Sequence, residues 1–186
     1  MKRVAFAALL LALAGCHKSG PKLDDFGAVP PFQLVAAGGS TFDSSVLKGK
    51  VWVADFFFTS CGSICPMMSA HMHQIQEQVR DVPNARLVSF SIDPWHDTPE
   101  ALAKYGAAYK AQAGRWDLLT GSPATFQKLD RDVFKLGNVD GSLQHSPRFV
   151  LVDANGHIRG YYDTTEQGAI PKIVADLRAL AAEGGA

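Results

Sequence analysis

Cysteine is scarce in this 186-residue chain, with three in all, at positions 16, 61 and 65. Three thiols cannot build the disulfide framework that staples small exported domains. Charge of one sign is lacking as well, because 18 basic residues stand against 18 acidic ones. Without a basic run there is no electrostatic footprint for nucleic acid, which is excluded as a partner. Long apolar stretches are also missing: the one near the start, residues 4–14, is short for a transmembrane helix. No internal repeat is present. At 47% hydrophobic and 19% charged residues, the chain can bury one sizeable core and is too short for two.

The first residues stand apart from that core. Lys2 and Arg3 precede the apolar residues 4–14, and small residues lead into Cys16, as in a secretory signal peptide. Leu13-Ala14-Gly15-Cys16 resembles the bacterial lipobox, whose cysteine becomes the lipidated first residue of the mature protein. The expected layout is a leader at 1–15, a lipidated polar tether at 16–27 and one folded domain at 28–186. That places the domain on the extracytoplasmic, periplasmic side of a membrane, held by a lipid. With Cys16 assigned to lipid, Cys61 and Cys65 remain. In an exported protein a lone close pair is either a redox couple or a metal site, since a structural staple normally closes a longer loop.

The stretch VWVADFFFTSCGSICPMMSAHM, residues 51–72, organises the chain. Residues 51–58 read as a strand buried on both faces. Cys61 and Cys65 follow at once, where strand hands over to helix. Peptide N–H groups and the positive end of the helix dipole favour thiolate there. In the helix after Pro66, Met68, Met72, Ile75 and Val79 form one apolar stripe and are read as core. Met67 and Met68 carry thioethers that bind cuprous copper, yet core filling is the preferred role for them. His71 and His73 lie about 200° apart around a helix and cannot chelate one ion together; they are read as surface residues.

The remaining elements follow from turn and cap chemistry. Residues 32–35 and 41–42 form a small hairpin around Gly38-Gly39, and 86–92 form a second buried strand ending in Asp93-Pro94. Thr98 and Pro99 open a helix that carries Leu102, Tyr105 and Tyr109. Residues 116–119 form a third strand, and Ser122-Pro123 caps a helix bearing Phe126, Leu129 and Phe134. Residues 135–144 are irregular. Residues 148–152 and 157–162 flank Asn155-Gly156, a hairpin turn signal, and a last helix spans 171–182. This order predicts an α/β sandwich with a mixed central sheet, helices on both faces and an extra N-terminal hairpin.

In such sheets chemistry collects at the carboxyl ends of the strands. Three loops qualify: the one with Cys61 and Cys65, the one with Asp93, and the segment ending at His145-Ser146-Pro147. The two thiols are four positions apart and share a helical face, so chelation and disulfide formation are both feasible. Two thiolates joined by one imidazole suit cuprous copper and also accommodate cupric copper. Zinc would want a fourth ligand, which Asp93 or His96 would have to supply.

Three blocks make the pair specific. FFFTSCGSICP, SIDPWHDTPEALAKY and HSPRFVLVDANGHIRGYYD resemble, in order and spacing, the Sco family of copper-handling assembly factors, also called SenC, from about Phe32 onward. The resemblance implies a thioredoxin-like fold with copper held by two cysteines and a distant histidine, by position Cys61, Cys65 and His145. It implies a metallochaperone for the CuA site of cytochrome c oxidase subunit II. The alternative is a thiol–disulfide oxidoreductase whose redox pair, Cys61 and Cys65, keeps cysteines of that subunit or of another periplasmic copper chaperone reduced. A thiol reductase is the implied electron source. Asp93 is expected either to orient His145 or simply to cap its loop. Gly62 departs from the family's pattern, standing where a proline commonly follows the first cysteine. Pro147 takes the place of the cis-proline of thioredoxins, where a cis bond would shape a docking surface for a disulfide.

Overall fold

The computed structural model describes residues 22–136 and 146–184. Two short strands come first, β1 (Gln33–Ala36) and β2 (Thr41–Asp43), paired antiparallel with Leu34 opposite Phe42. Gly38 and Gly39 turn the chain between them at φ of 92° and 90°, a region where a side chain would be strained. Next come β3 (Val51–Phe57), α1 (Cys65–Gln78), β4 (Ala85–Ser91), α2 (Pro99–Ala108) and β5 (Trp116–Thr120). After them stand α3 (Pro123–Gln127), running into a π-helical turn over Lys128–Val133, then β6 (Arg148–Val152), β7 (Ile158–Asp163) and α4 (Ala169–Glu183).

The strands form one seven-stranded sheet in the order β2-β1-β5-β4-β3-β6-β7. β3, β4 and β5 run parallel, while β6 is antiparallel to β3, and β1 to β5. This is the mixed sheet expected from the sequence. Every residue of β3 is buried, as a strand covered on both faces must be. Val51, Val53 and Phe57 face a core built with α1, α2 and α4, whereas Trp52, Ala54 and Phe56 face one built with the α3 segment and β1. The helical layers are unequal, three helices against the short α3 and its π-helical continuation.

Local chemistry accounts for the helix starts. The Thr98 hydroxyl accepts the N–H of Ala101 at 3.3 Å, and the Ser122 hydroxyl accepts that of Thr125 at 3.2 Å, each ahead of a proline in the first turn. Met68, Met72, Ile75 and Val79 are all fully buried. Burial of each such side chain is worth about 1.5–3 kcal/mol, so this stripe fixes α1 on the sheet and with it the residues at its start. Leu23 to Val29 run along β7: Phe26 N–H donates to Ile158 O, Ile158 N–H to Gly27 O, and Val29 N–H to Gly156 O. Among the described residues no helix is long and apolar enough to cross a membrane.

Candidate metal and thiol centre

The parallel strands β3 and β4 end side by side, with Phe57 opposite Ser91. Because β6 runs the other way, Ser146 and Pro147, which precede it, lie at that same end of the sheet. The cysteine loop, the Asp93 loop and the approach to β6 are thus neighbours, as expected of the carboxyl ends. His145 and Cys16 lie outside the described residues.

Cys61 closes a turn, its N–H donating to Phe58 O at 3.2 Å, and it is partly exposed. Cys65 is the first residue of α1 and is buried. Both are free thiols. The N-cap residue Ile64 contributes no side-chain cap, Pro66 has no N–H to offer, and the Cys65 N–H serves the Cys61 sulfur. The two thiols differ sharply. Partial burial acts to raise the Cys61 pKa. Hydrogen bonds from the Cys65 thiol, the Ser63 hydroxyl and the peptide N–H groups of Ser63 and Cys65 outweigh it and bring the pKa down to about 6. Ser63 Oγ stands 3.5 Å from Cys61 Sγ. Burial pushes Cys65 the opposite way, reinforced by its hydrogen bond to Cys61 and by the negative charges of Cys61 and Asp55. One sulfur is a ready thiolate, while the other keeps its proton.

Three carboxylates underlie this end. Asp55 is 1% exposed in the middle of β3; the Ser89 hydroxyl donates to it at 2.5 Å and accepts Trp116 Nε1–H at 2.8 Å. Burial drives its carboxyl up to about 7 against the smaller pull of the Ser89 hydrogen bond. Asp97 has no exposure and ties the two loops together, accepting from Thr59 and from the Ser91 hydroxyl. Asp93 is also buried, and its carboxylate accepts from Nδ1 of His96. Sequence reasoning missed all three arrangements. The available signals were an acidic residue inside an apolar strand and a second aspartate, Asp97, just before the Thr98 cap.

Other expected donors are placed elsewhere. Met68 is core, as read from its spacing. His71 and His73 are half-buried rather than on the surface, each with an Nδ1 that is shielded and without a hydrogen-bond partner. His157 pairs with Asp25 beside the turn that opens β7. The Ser146–Pro147 bond is trans, since the described residues contain no cis peptide, so Pro147 does not reproduce a cis-proline surface. Its carbonyl instead accepts the N–H and hydroxyl of Thr164 at 2.9 and 2.7 Å, which holds this segment extended against the end of β7. Gly62 is exposed, and a Cβ there would meet nothing within 4 Å. A cavity of about 610 Å³ beside β7 and the start of α4 is lined by none of the site residues.

The fold is thus a thioredoxin-like sheet that carries two free thiols at a strand-to-helix junction. The particular kind follows from its relatives. The family model SCO1/SenC matches residues 22–182, and the chain belongs to that family. It is 35% identical over 156 residues to the SCO1 protein homolog of Bacillus subtilis (strain 168), covering 81% of each chain. A SCO1/SenC family lipoprotein from Bacillus anthracis str. Ames superposes with a TM-score of 0.75 at 32% identity, over 88% of this chain and 98% of that one. BsSco, a member of the Sco family of cytochrome c oxidase assembly proteins in which a disulfide switch was identified, matches at 0.75 and 32%, over 86% and 97%. Bradyrhizobium japonicum ScoI with copper bound shares the fold at a TM-score of 0.67 and 23% identity, over 83% and 99%.

Proposed function

We propose that this chain is a membrane-anchored copper metallochaperone that holds one copper ion through Cys61, Cys65 and His145 and helps assemble the CuA site of cytochrome c oxidase subunit II. The observation that carries this reading is the pair of free thiols at the start of α1, one of them a thiolate near neutral pH. Two soft sulfur donors fit copper, and one imidazole completes a three-coordinate set. Oxidase assembly is the role of the Sco family to which BsSco belongs. Residues 1–15 act as a leader, Cys16 takes the lipid, 16–27 tether the domain 28–186, and the site works on the periplasmic side. The lipobox-like Leu13-Ala14-Gly15-Cys16 supports the anchor, as does the lipoprotein relative from Bacillus anthracis. Anaerobic copper(I) competition titration of wild type and His145→Ala tests the reading. Tight one-to-one binding that weakens in the variant is expected, and binding indifferent to His145 sinks this ligand set.

A second reading rests on the inequality of the thiols. Cys61 thiolate attacks one sulfur of a partner disulfide, forming a mixed disulfide and releasing the partner's other sulfur as thiolate. Cys65 then gives up its proton and attacks the Cys61 sulfur, releasing the second partner thiolate and leaving Cys61–Cys65 oxidised. A thiol reductase restores the pair, and the partner is an oxidase subunit or another copper chaperone. Cys65→Ser, which cannot resolve the mixed disulfide, is expected to trap that partner. Failure to trap any partner in membranes that contain the oxidase counts against this activity.

A further inference from the structure

The loop after β4 carries an imidazole that neither reading uses. Nδ1 of His96 lies 2.8 and 3.0 Å from the two carboxylate oxygens of Asp93. The acid is sunk in the protein at 4% side-chain exposure, while the imidazole stands out at 77%. A carboxylate accepts, so in the neutral ring Nδ1 carries the proton and Nε2 keeps its lone pair. Nε2 has no hydrogen-bond partner among the described residues and points away from the buried acid, toward solvent. A carboxylate that fixes tautomer and ring orientation in this way is the support that metal-binding histidines use.

The loop that carries the imidazole is also tied to the thiol loop. Asp93 N–H donates to Ser91 Oγ at 3.2 Å, Ser91 Oγ donates to Asp97 at 2.5 Å, and Asp97 accepts from Thr59 at 3.0 and 2.5 Å, two residues before Cys61. Yet no three His, Cys, Asp or Glu side chains among the described residues cluster closely enough to hold one ion. His96 therefore sits on a loop tied to the thiol loop without belonging to a three-ligand cluster with the thiols.

We propose that His96 is the landing ligand for copper, taking the ion from a donor in solvent and passing it to Cys61. This rests on the copper-carrying reading above. The Nε2 lone pair forms a bond to copper(I) as a ligand of the donor leaves. The Cys61 thiolate then forms the copper–sulfur bond as the copper–nitrogen bond breaks. Copper stays cuprous throughout and no electron is transferred.

The test is anaerobic stopped-flow mixing of the reduced full-length protein, in detergent, with the copper(I)–bicinchoninate complex, following loss of the chelate's absorbance. His96→Gln retains an N–H donor for Asp93 but has no imidazole lone pair, so it separates capping from metal contact. Both His96→Gln and His96→Ala are expected to load about ten-fold more slowly and to reach the same final copper content. A His96→Gln protein that loads at wild-type speed overturns the proposal and leaves His96 as a cap on Asp93. Lowered final copper content also overturns it, because His96 would then be a resident ligand. Wild-type protein that takes no copper sinks the copper-carrying reading itself, and the landing role with it.

Discussion

Thr59 and Asp97 are joined twice across 38 positions, the Asp97 carboxylate accepting the Thr59 N–H at 3.0 Å and its hydroxyl at 2.5 Å. Asp97 is fully buried, and its other contact is the Ser91 hydroxyl. Removing the acid strands three donors in the interior. Asp97→Ala is expected to lose about 3 kcal/mol or more, measured as a shift of the urea midpoint. It is also expected to alter the alkylation rate of Cys61, because Thr59 sets where that loop begins. An unchanged midpoint would mean that the two loops are held by other contacts.

The thiols are expected to titrate in separate ranges. With its pKa near 6, Cys61 is mostly thiolate at pH 7, and iodoacetamide labelling of the reduced protein should reach half its plateau close to pH 6. Cys65 should label only in far more alkaline solution. Cys65→Ala removes the thiol that hydrogen-bonds to Cys61, and the profile should move upward by about one unit. A profile that stays in place would show that the remaining donors suffice.

Asp55 gives stability a pH dependence of definite sign. Its folded-state pKa of about 7 lies above the ordinary 3.8, so the folded protein holds this proton more tightly than the unfolded chain. The resulting contribution is fully present below pH 3.8 and is lost as pH rises through 7. Urea unfolding of wild type and Asp55→Asn at pH 4.5, 6 and 8 isolates it, since other groups cancel in the comparison. The variant should gain on wild type between the lowest and highest pH by about 3 kcal/mol. Parallel pH curves would place the raised pKa in doubt.

Two glycines should respond in opposite ways. At Gly62 an added Cβ meets nothing within 4 Å, so Gly62→Ala should be neutral or stabilising by about 0.5 kcal/mol through the unfolded chain. At Gly160 the added atom would stand 2.8 Å from the Tyr162 hydroxyl, in a ring pinned by its hydrogen bond to Asp176. Gly160→Ala should cost about 1–3 kcal/mol, read by thermal or urea unfolding.

Much of the fold was legible because its signals are local. The apolar run from Val51, the Met68–Met72–Ile75–Val79 stripe, the Thr98 and Ser122 caps and the Asn155-Gly156 turn each depend on residues a few positions apart. The cysteine pair was legible for the same reason. The carboxylate framework was not, because Asp97 finds Thr59 across the sheet, and Asp55 finds Ser89 only through the parallel pairing of β3 with β4. Spacing shows which residues share a face but not which buried donors meet an acid. His96 lacked any periodic context, and its partner Asp93 was set against a different histidine. Pro147 shows the reverse case: its position resembles another fold's landmark, but sequence left its bond open as cis or trans, and the bond is trans.

The backbone of residues 26–29, bonded to Gly156 and to Ile158 at the start of β7, also bears on how other chains can approach that corner. It occupies donors and acceptors that would otherwise template a further strand, and at the opposite border β2 is only three residues long. Edge-to-edge pairing between copies is thereby narrowed at the start of β7 and at β2. Strand addition at that corner is correspondingly disfavoured, whereas Trp95, 72% exposed in the loop after β4, offers a broad apolar face at the thiol end.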